Sequence, residues 1–171
     1  LDAALQIEES SVSVSTEFEL MRLAATFYLY QQHYSKAESY AAKYVKSRPK
    51  GAGAHILHAK ALLNCGRADD ALVRIEKALL LDDKNASAWV MLARARERSQ
   101  ELDKMEAAIA GLLACVEEGA DNARVKVLRA SLALRHKDYA GAAGVLEEAL
   151  ADSASLSVDE AALAYGDLFK C

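Results

Sequence analysis

Apolar residues in this chain recur three and four positions apart in short runs closed by charged or small residues, a spacing that predicts amphipathic helices and leaves no strand pattern to compete. One pattern returns along the chain: an aromatic or small residue, two polar residues and an alanine, then apolar positions at helical spacing up to a charged or proline stop. It runs from Tyr34-Ser35-Lys36-Ala37 to Arg48-Pro49, and from Ala68-Asp69-Asp70-Ala71 through Ala78-Leu79-Leu80-Leu81 to Asp82-Asp83. A degenerate copy begins at Leu102-Asp103-Lys104-Met105, and a clear one runs from Tyr139-Ala140-Gly141-Ala142 to Glu148-Ala149-Leu150. Ala37, Ala71 and Met105 lie 34 residues apart, and Ala142 follows after 37, with extra loop residues around Gly119-Ala120-Asp121.

Each copy is preceded by another helical run. Trp89-Val90-Met91-Leu92-Ala93 is the fullest, Met21-Arg22-Leu23-Ala24-Ala25 with Tyr28 matches in part, and His55-Ile56-Leu57-His58-Ala59 and Lys126-Val127-Leu128-Arg129-Ala130 are looser. The expected helices therefore pair as 17–31 with 35–47, 52–64 with 68–81, 86–98 with 102–116 and 121–135 with 139–151. A last helix at 157–169 follows a Ser-rich link at 153–155. Thr16 and Glu19 read as a capping box for the first helix. Gly66 sits where a helix stop is expected.

A period of 34 residues shared between two helices is the spacing of the tetratricopeptide repeat, and nearly the whole chain resembles that family. The resemblance implies an all-α, right-handed superhelical solenoid of antiparallel helix pairs, with about four repeats and a terminal helix. The repeats are expected at 17–50, 51–84, 85–119 and 120–152, and 153–171 forms a capping helix or opens a further repeat. Residues 1–16 read as the tail of a preceding repeat helix followed by a Ser-rich linker at 10–15. Small residues (Ala25, Ala59, Ala93, Ala130) let two helices approach closely, and Tyr28, Leu62, Leu72, Ile75 and Leu146 fill the space between repeats.

Composition agrees with this reading. The 171 residues are 53% hydrophobic with a single proline, so a sizeable core is expected and disorder is excluded. A net charge of −4 argues against nucleic acid or an anionic membrane as the main partner. No apolar run reaches the roughly 20 residues that span a bilayer. Cys65, Cys115 and Cys171 are few and far apart, which predicts reduced thiols and a cytoplasmic location.

The sequence offers no catalytic constellation, and no cofactor or metal is expected. His55 and His58 stand one turn apart on a helix but lack the third and fourth ligands of a zinc site, so both are expected to pack between helices. Neither Cys65 nor Cys115 is spaced to a base, Cys115 reads as core, and Gly51-Ala52-Gly53 lacks the rest of a phosphate loop. Paired acids at 69–70, 82–83, 117–118 and 147–148 read as solvated helix ends and outer faces.

In the family that the chain resembles, the first helices of successive repeats line a concave surface that receives extended or helical peptides. The corresponding stripe here holds Glu19, Arg22, Thr26 and Tyr30, then Ile56, Lys60 and Asn64, then Val90, Arg94, Glu97 and Arg98, then Arg124, Val127, Ser131 and Arg135. Arg22, Lys60, Arg94, Arg98, Arg124 and Arg135 outnumber Glu19 and Glu97, so acids are expected to concentrate on the second helices and loops. The expected partner-binding residues are Arg22, Thr26, Lys60, Asn64, Val90, Arg94, Arg98, Arg124, Val127 and Arg135. They would hold an acidic protein segment or a C-terminal carboxylate in a scaffold or adaptor role. Thr26, Ile56 and Met91 stand where a chaperone-binding clamp would need asparagine and further bases, and the asparagine ladder of sugar transferases is missing. The other expected role is a structural spacer or self-assembly module that associates through its repeat ends.

Overall fold

A computed structural model describes the backbone of residues 2–117, 119, 122–151, 156, 158–169 and 171, and the side chains of these from 16 onward except 158–160. Most of the described residues are helical, with no strand among them. The helices are α1 (Asp2–Tyr30), α2 (Tyr34–Ser47), α3 (Ala52–Asn64), α4 (Ala68–Leu81), α5 (Ala86–Arg98), α6 (Leu102–Cys115), α7 (Ala123–Arg135), α8 (Tyr139–Ala151) and α9 (Val158–Leu168). They fall into two compact units, Leu1–Asp83 and Lys84–Cys171.

The first helix of every pair ends in the same way. After α1, the His33 N–H donates to Tyr28 O (2.9 Å) and the Gln32 N–H to Leu29 O (3.1 Å), the two bonds of a Schellman turn. The same bonds recur from Arg67 and Gly66 after α3, from Glu101 and Gln100 after α5, and from Asp138 and Lys137 after α7. The left-handed residue of each turn is Gln32 (φ 58°), Gly66 (77°), Gln100 (58°) and Lys137 (64°). In each turn the next carbonyl (His33, Arg67, Glu101, Asp138) accepts the N–H of Ala37, Ala71, Met105 or Ala142, so stop and restart share one residue.

This turn sets the period. First helices α3, α5 and α7 are 13 residues long, and second helices α2, α4 and α6 are 14. Three residues separate the members of each pair, and four separate α2 from α3 and α4 from α5, which together give the spacing of 34. Seven residues separate α6 from α7, which accounts for the longer last interval. The side chains of Asn85 and Asn122 accept the N–H groups of Ala88 (3.2 Å) and Arg124 (3.0 Å), starting α5 and α7. Pro49 keeps α2 from continuing, and Arg48 before it has left the helical region (φ −131°).

Alanines recur among the buried residues between helices. In the first unit Ala25, Ala37, Ala41 and Ala61 are fully buried beside Tyr28, Leu29, Tyr40 and Leu57, and Leu62, Ile75 and Ala78 are buried as well. In the second unit Val90, Ala93, Met105, Ala108, Ile109, Leu112, Val125 and Leu128 form one cluster. Ala130, Ala142, Leu146, Ala149 and Ala164 belong to another that joins α7, α8 and α9. The spacing residues expected from the sequence are in place: Ala25, Ala59 and Ala93 are 0% exposed and Ala130 is 1%. Trp89 is accommodated because α6 presents Gly111, where a Cβ would fall 2.6 Å from the indole ring.

Three expectations are corrected. Residues 10–15 are not a linker, because α1 runs unbroken from Asp2 to Tyr30. No Gly or Pro interrupts residues 1–30, and Ser and Val in a helix cost only about 0.5 kcal/mol each relative to Ala. Thr16 consequently lies inside α1 and cannot cap it. Cys115 is half-buried rather than core. The expected link at 153–155 lies outside the described residues.

The turns yield a stability prediction. A side chain in the left-handed region is strained and Gly is not, so Gln100→Gly should raise unfolding stability by about 0.5–1 kcal/mol and Gly66→Ala should lower it by about as much or more. Chemical denaturation of the two variants checks both signs.

Candidate partner-binding surface

In the first unit, α1 and α3 carry Arg22, Thr26, Lys60 and Asn64. The Arg22 guanidinium donates to Glu19 Oε1, through Nε at 2.9 Å and through Nη2. That hydrogen bond, more than anything else, holds the Glu19 carboxyl below its usual range. Thr26 Oγ1 donates to Arg22 O (2.9 Å) and Asn64 Nδ2 to Lys60 O (3.0 Å), so two of the expected polar contacts are turned onto their own helices. Lys60 is exposed.

In the second unit the Arg135 guanidinium of α7 donates twice to Glu97 Oε1 of α5, at 3.0 and 3.2 Å. This pair ties two consecutive first helices together. Arg94 and Arg124 are half-buried, Arg98 is exposed, and all three interact with neighbouring groups. Val90 and Val127 are 6% and 1% exposed, so both side chains fill the packing clusters and offer almost no surface to a partner. The two acids of the stripe thus engage Arg22 in the first unit and Arg135 in the second.

The charge distribution expected for the second helices fails on α2. Lys36, Lys43 and Lys46 are exposed on that helix, and its single carboxylate, Glu38, faces α3. The spacing of these lysines was visible in the sequence, but a projection confined to first helices passes over it.

The two histidines of α3 are buried, as their expected packing role requires. His55 Nε2 donates to Pro49 O (2.9 Å) and His58 Nε2 to Glu38 Oε1 (3.0 Å), so the two rings serve different partners and do not converge. Both Nδ1 atoms are buried without a hydrogen-bond partner. Protonating His58 would bury an Nδ1–H with nothing to accept it. Burial pushes His58 below the ordinary 6.5; the Glu38 hydrogen bond opposes this, and Arg74 and Arg67 add to it.

Among the described residues no group of three or more His, Cys, Asp or Glu side chains could hold a metal ion. No helix among them is long and apolar enough to cross a membrane. Burial raises the Cys65 thiol.

The His58 geometry gives a pH dependence. An unfolded chain takes up a proton near pH 6.5 that folded His58 refuses, so stability is full above that value and falls as pH drops toward the lower folded pKa. His58→Gln should flatten the decline between about pH 6.5 and 5 relative to wild type, as thermal melts across that range would read.

No protein-family model and no curated protein matches the sequence. Solved structures do match in fold. TTC0263, a thermophilic TPR protein of Thermus thermophilus, superposes with a TM-score of 0.73 at 19% identity, covering 98% of this chain and 90% of that one. The Arabidopsis OM64 TPR domain gives 0.65 at 21% identity, over 71% of this chain and 98% of the domain. A chain of the APC/C hetero-tetramer Cut9–Hcn1 gives 0.73 at 16% identity, over 93% of this chain and 34% of that one. With its pairs of antiparallel helices, its shared turn and its period of 34, the chain has the fold of the tetratricopeptide-repeat solenoids.

Proposed function

We propose that the chain is a non-catalytic scaffold that holds an acidic segment of a partner protein against the first helices α5 and α7 of its second unit. The observation that carries this reading is the charge on α5 and α7. Arg94 and Arg98 flank Glu97 on one helix, and Arg135 reaches the same carboxylate from the other. Three arginines to one carboxylate give this stripe a positive formal charge that an acidic peptide would complement, hastening association and setting register. The likeness in fold to a chain of the Cut9–Hcn1 hetero-tetramer, an assembly of proteins, supports a protein as the ligand. Reduced cysteines fit a cytoplasmic setting.

A second reading, self-assembly, has its own support in exposed apolar side chains. α1 exposes Leu20 (66%), Leu23 (51%), Phe27 (57%) and Tyr30 (85%), and Tyr165 and Phe169 are exposed near the C-terminus. Contiguous apolar exposure of this kind marks interaction surfaces.

Affinity capture from the native source, comparing wild type with an Arg94→Glu, Arg98→Glu variant, tests the first reading. The bound partner should weaken by about tenfold or more in the variant. Equal retention would move the contact away from the first helices.

A further inference from the structure

A run of exposed basic residues lies on α2 and in the turn that follows it. Between Lys36 and Lys50 the chain carries five basic residues and one acid. The acid, Glu38, is turned inward, where it accepts from His58 at 3.0 Å and lies 3.7 Å from Arg67. Lys36, Lys43, Lys46 and Lys50 are exposed, and among the described residues none of them has an ion-pair partner. On a helix Lys36, Lys43 and Lys46 fall within an arc of about 80° over about 15 Å. Lys36 lies over the Tyr28 ring (5.4 Å) and Lys43 over the Tyr40 ring (5.3 Å), and these rings stack on each other (5.5 Å). The lysine stems are thereby propped on a rigid aromatic base, which lowers the ordering cost of using them in a contact.

The same chain carries the complement. From Asp138 to Phe169 there are seven carboxylates and no Lys or Arg. Of these, Glu147 and Glu148 are adjacent and exposed on α8; Glu148 reaches Lys126 at 3.2 Å with 67% of its side chain still in solvent. Among the described residues Glu147 has no partner.

We propose that the α2 lysine stripe of one copy docks on the acidic α8 face of a second copy, so that molecules associate head to tail. The two surfaces differ, so the contact is heterologous, and repetition builds a ring or an open string rather than a two-fold dimer. A lipid surface is the poorer occupant. The exposed residues beside the lysines are Ser35 and Ser39, not the large apolar residues that enter a bilayer, and the whole chain is net −4. This contact is separate from the Arg94–Arg98 surface and uses none of its residues.

A charge swap tests it. Wild type, Lys36→Glu/Lys43→Glu/Lys46→Glu, and Glu147→Lys/Glu148→Lys are compared by sedimentation velocity over a concentration series, with circular dichroism to confirm that each is helical. Wild type should gain mass with concentration at about 0.01 M salt and lose that gain at about 1 M. Each variant alone should stay monomeric, and the two mixed should associate again, because each then presents the charge that the other lacks. The Arg94→Glu, Arg98→Glu variant should assemble like wild type.

A wild type that stays monomeric at every concentration overturns the proposal, as does assembly that survives in either variant. Folded variants whose mixture remains monomeric overturn the pairing of these two faces. Lysine-dependent co-sedimentation of a monomeric wild type with phosphatidylserine vesicles would assign the stripe to a lipid surface instead. Assembly lost only in the arginine variant would overturn this contact while leaving the first-helix surface in use.

Discussion

Everything in this chain depends on how closely two helices can approach. An alanine at the crossing point lets the backbones come together, and a larger neighbour one turn away then fills the gap beside it. Ala25, Ala59 and Ala93 repeat this arrangement at intervals of 34 residues, each with no exposed surface. Where the large residue is Trp89, the facing helix yields further by presenting Gly111. Stability is then a sum over neighbouring pairs, as expected of a repeat protein, and no central core has to be assembled from distant parts of the chain.

The second constraint is the turn. A helix that ends in a Schellman turn redirects the chain within three residues, and the carbonyl that follows the left-handed position already serves the next helix. Position and period are locked together by backbone bonds rather than by side chains. Only Gly66 announces this turn in the sequence. Gln32, Gln100 and Lys137 occupy the same conformation without the residue type that advertises it, so a search for glycine finds one turn of four. The helix boundaries were nonetheless legible, since apolar periodicity and the recurring alanines fix them independently. The start of α1 was not, because serines suggest a break that neither Gly nor Pro enforces.

Charge was harder to read. The basic character of the first helices is plain in the sequence, but two side chains assigned to the surface, Val90 and Val127, belong to the packing clusters. A helical projection gives direction and not depth, and a valine near the edge of a stripe falls to the core once the next helix is added. Pairings across helices, such as Glu97 with Arg135 and Glu38 with His58, depend on where two helices cross and carry no signal in a linear pattern. The lysines of α2 carried one, in their spacing of seven and ten residues from Lys36.

The claim that close approach at alanine governs the fold is tested most directly within a single helix. In α6, Ala108 is 1% exposed and its neighbour Ala107 faces solvent. Equilibrium unfolding of Ala108→Leu and Ala107→Leu should separate them: the first loses about 1–3 kcal/mol through overpacking, and the second stays within about 0.5 kcal/mol of wild type. Equal stability of the two variants would mean that the helices can move apart at no cost and that close approach at alanine does not govern the fold.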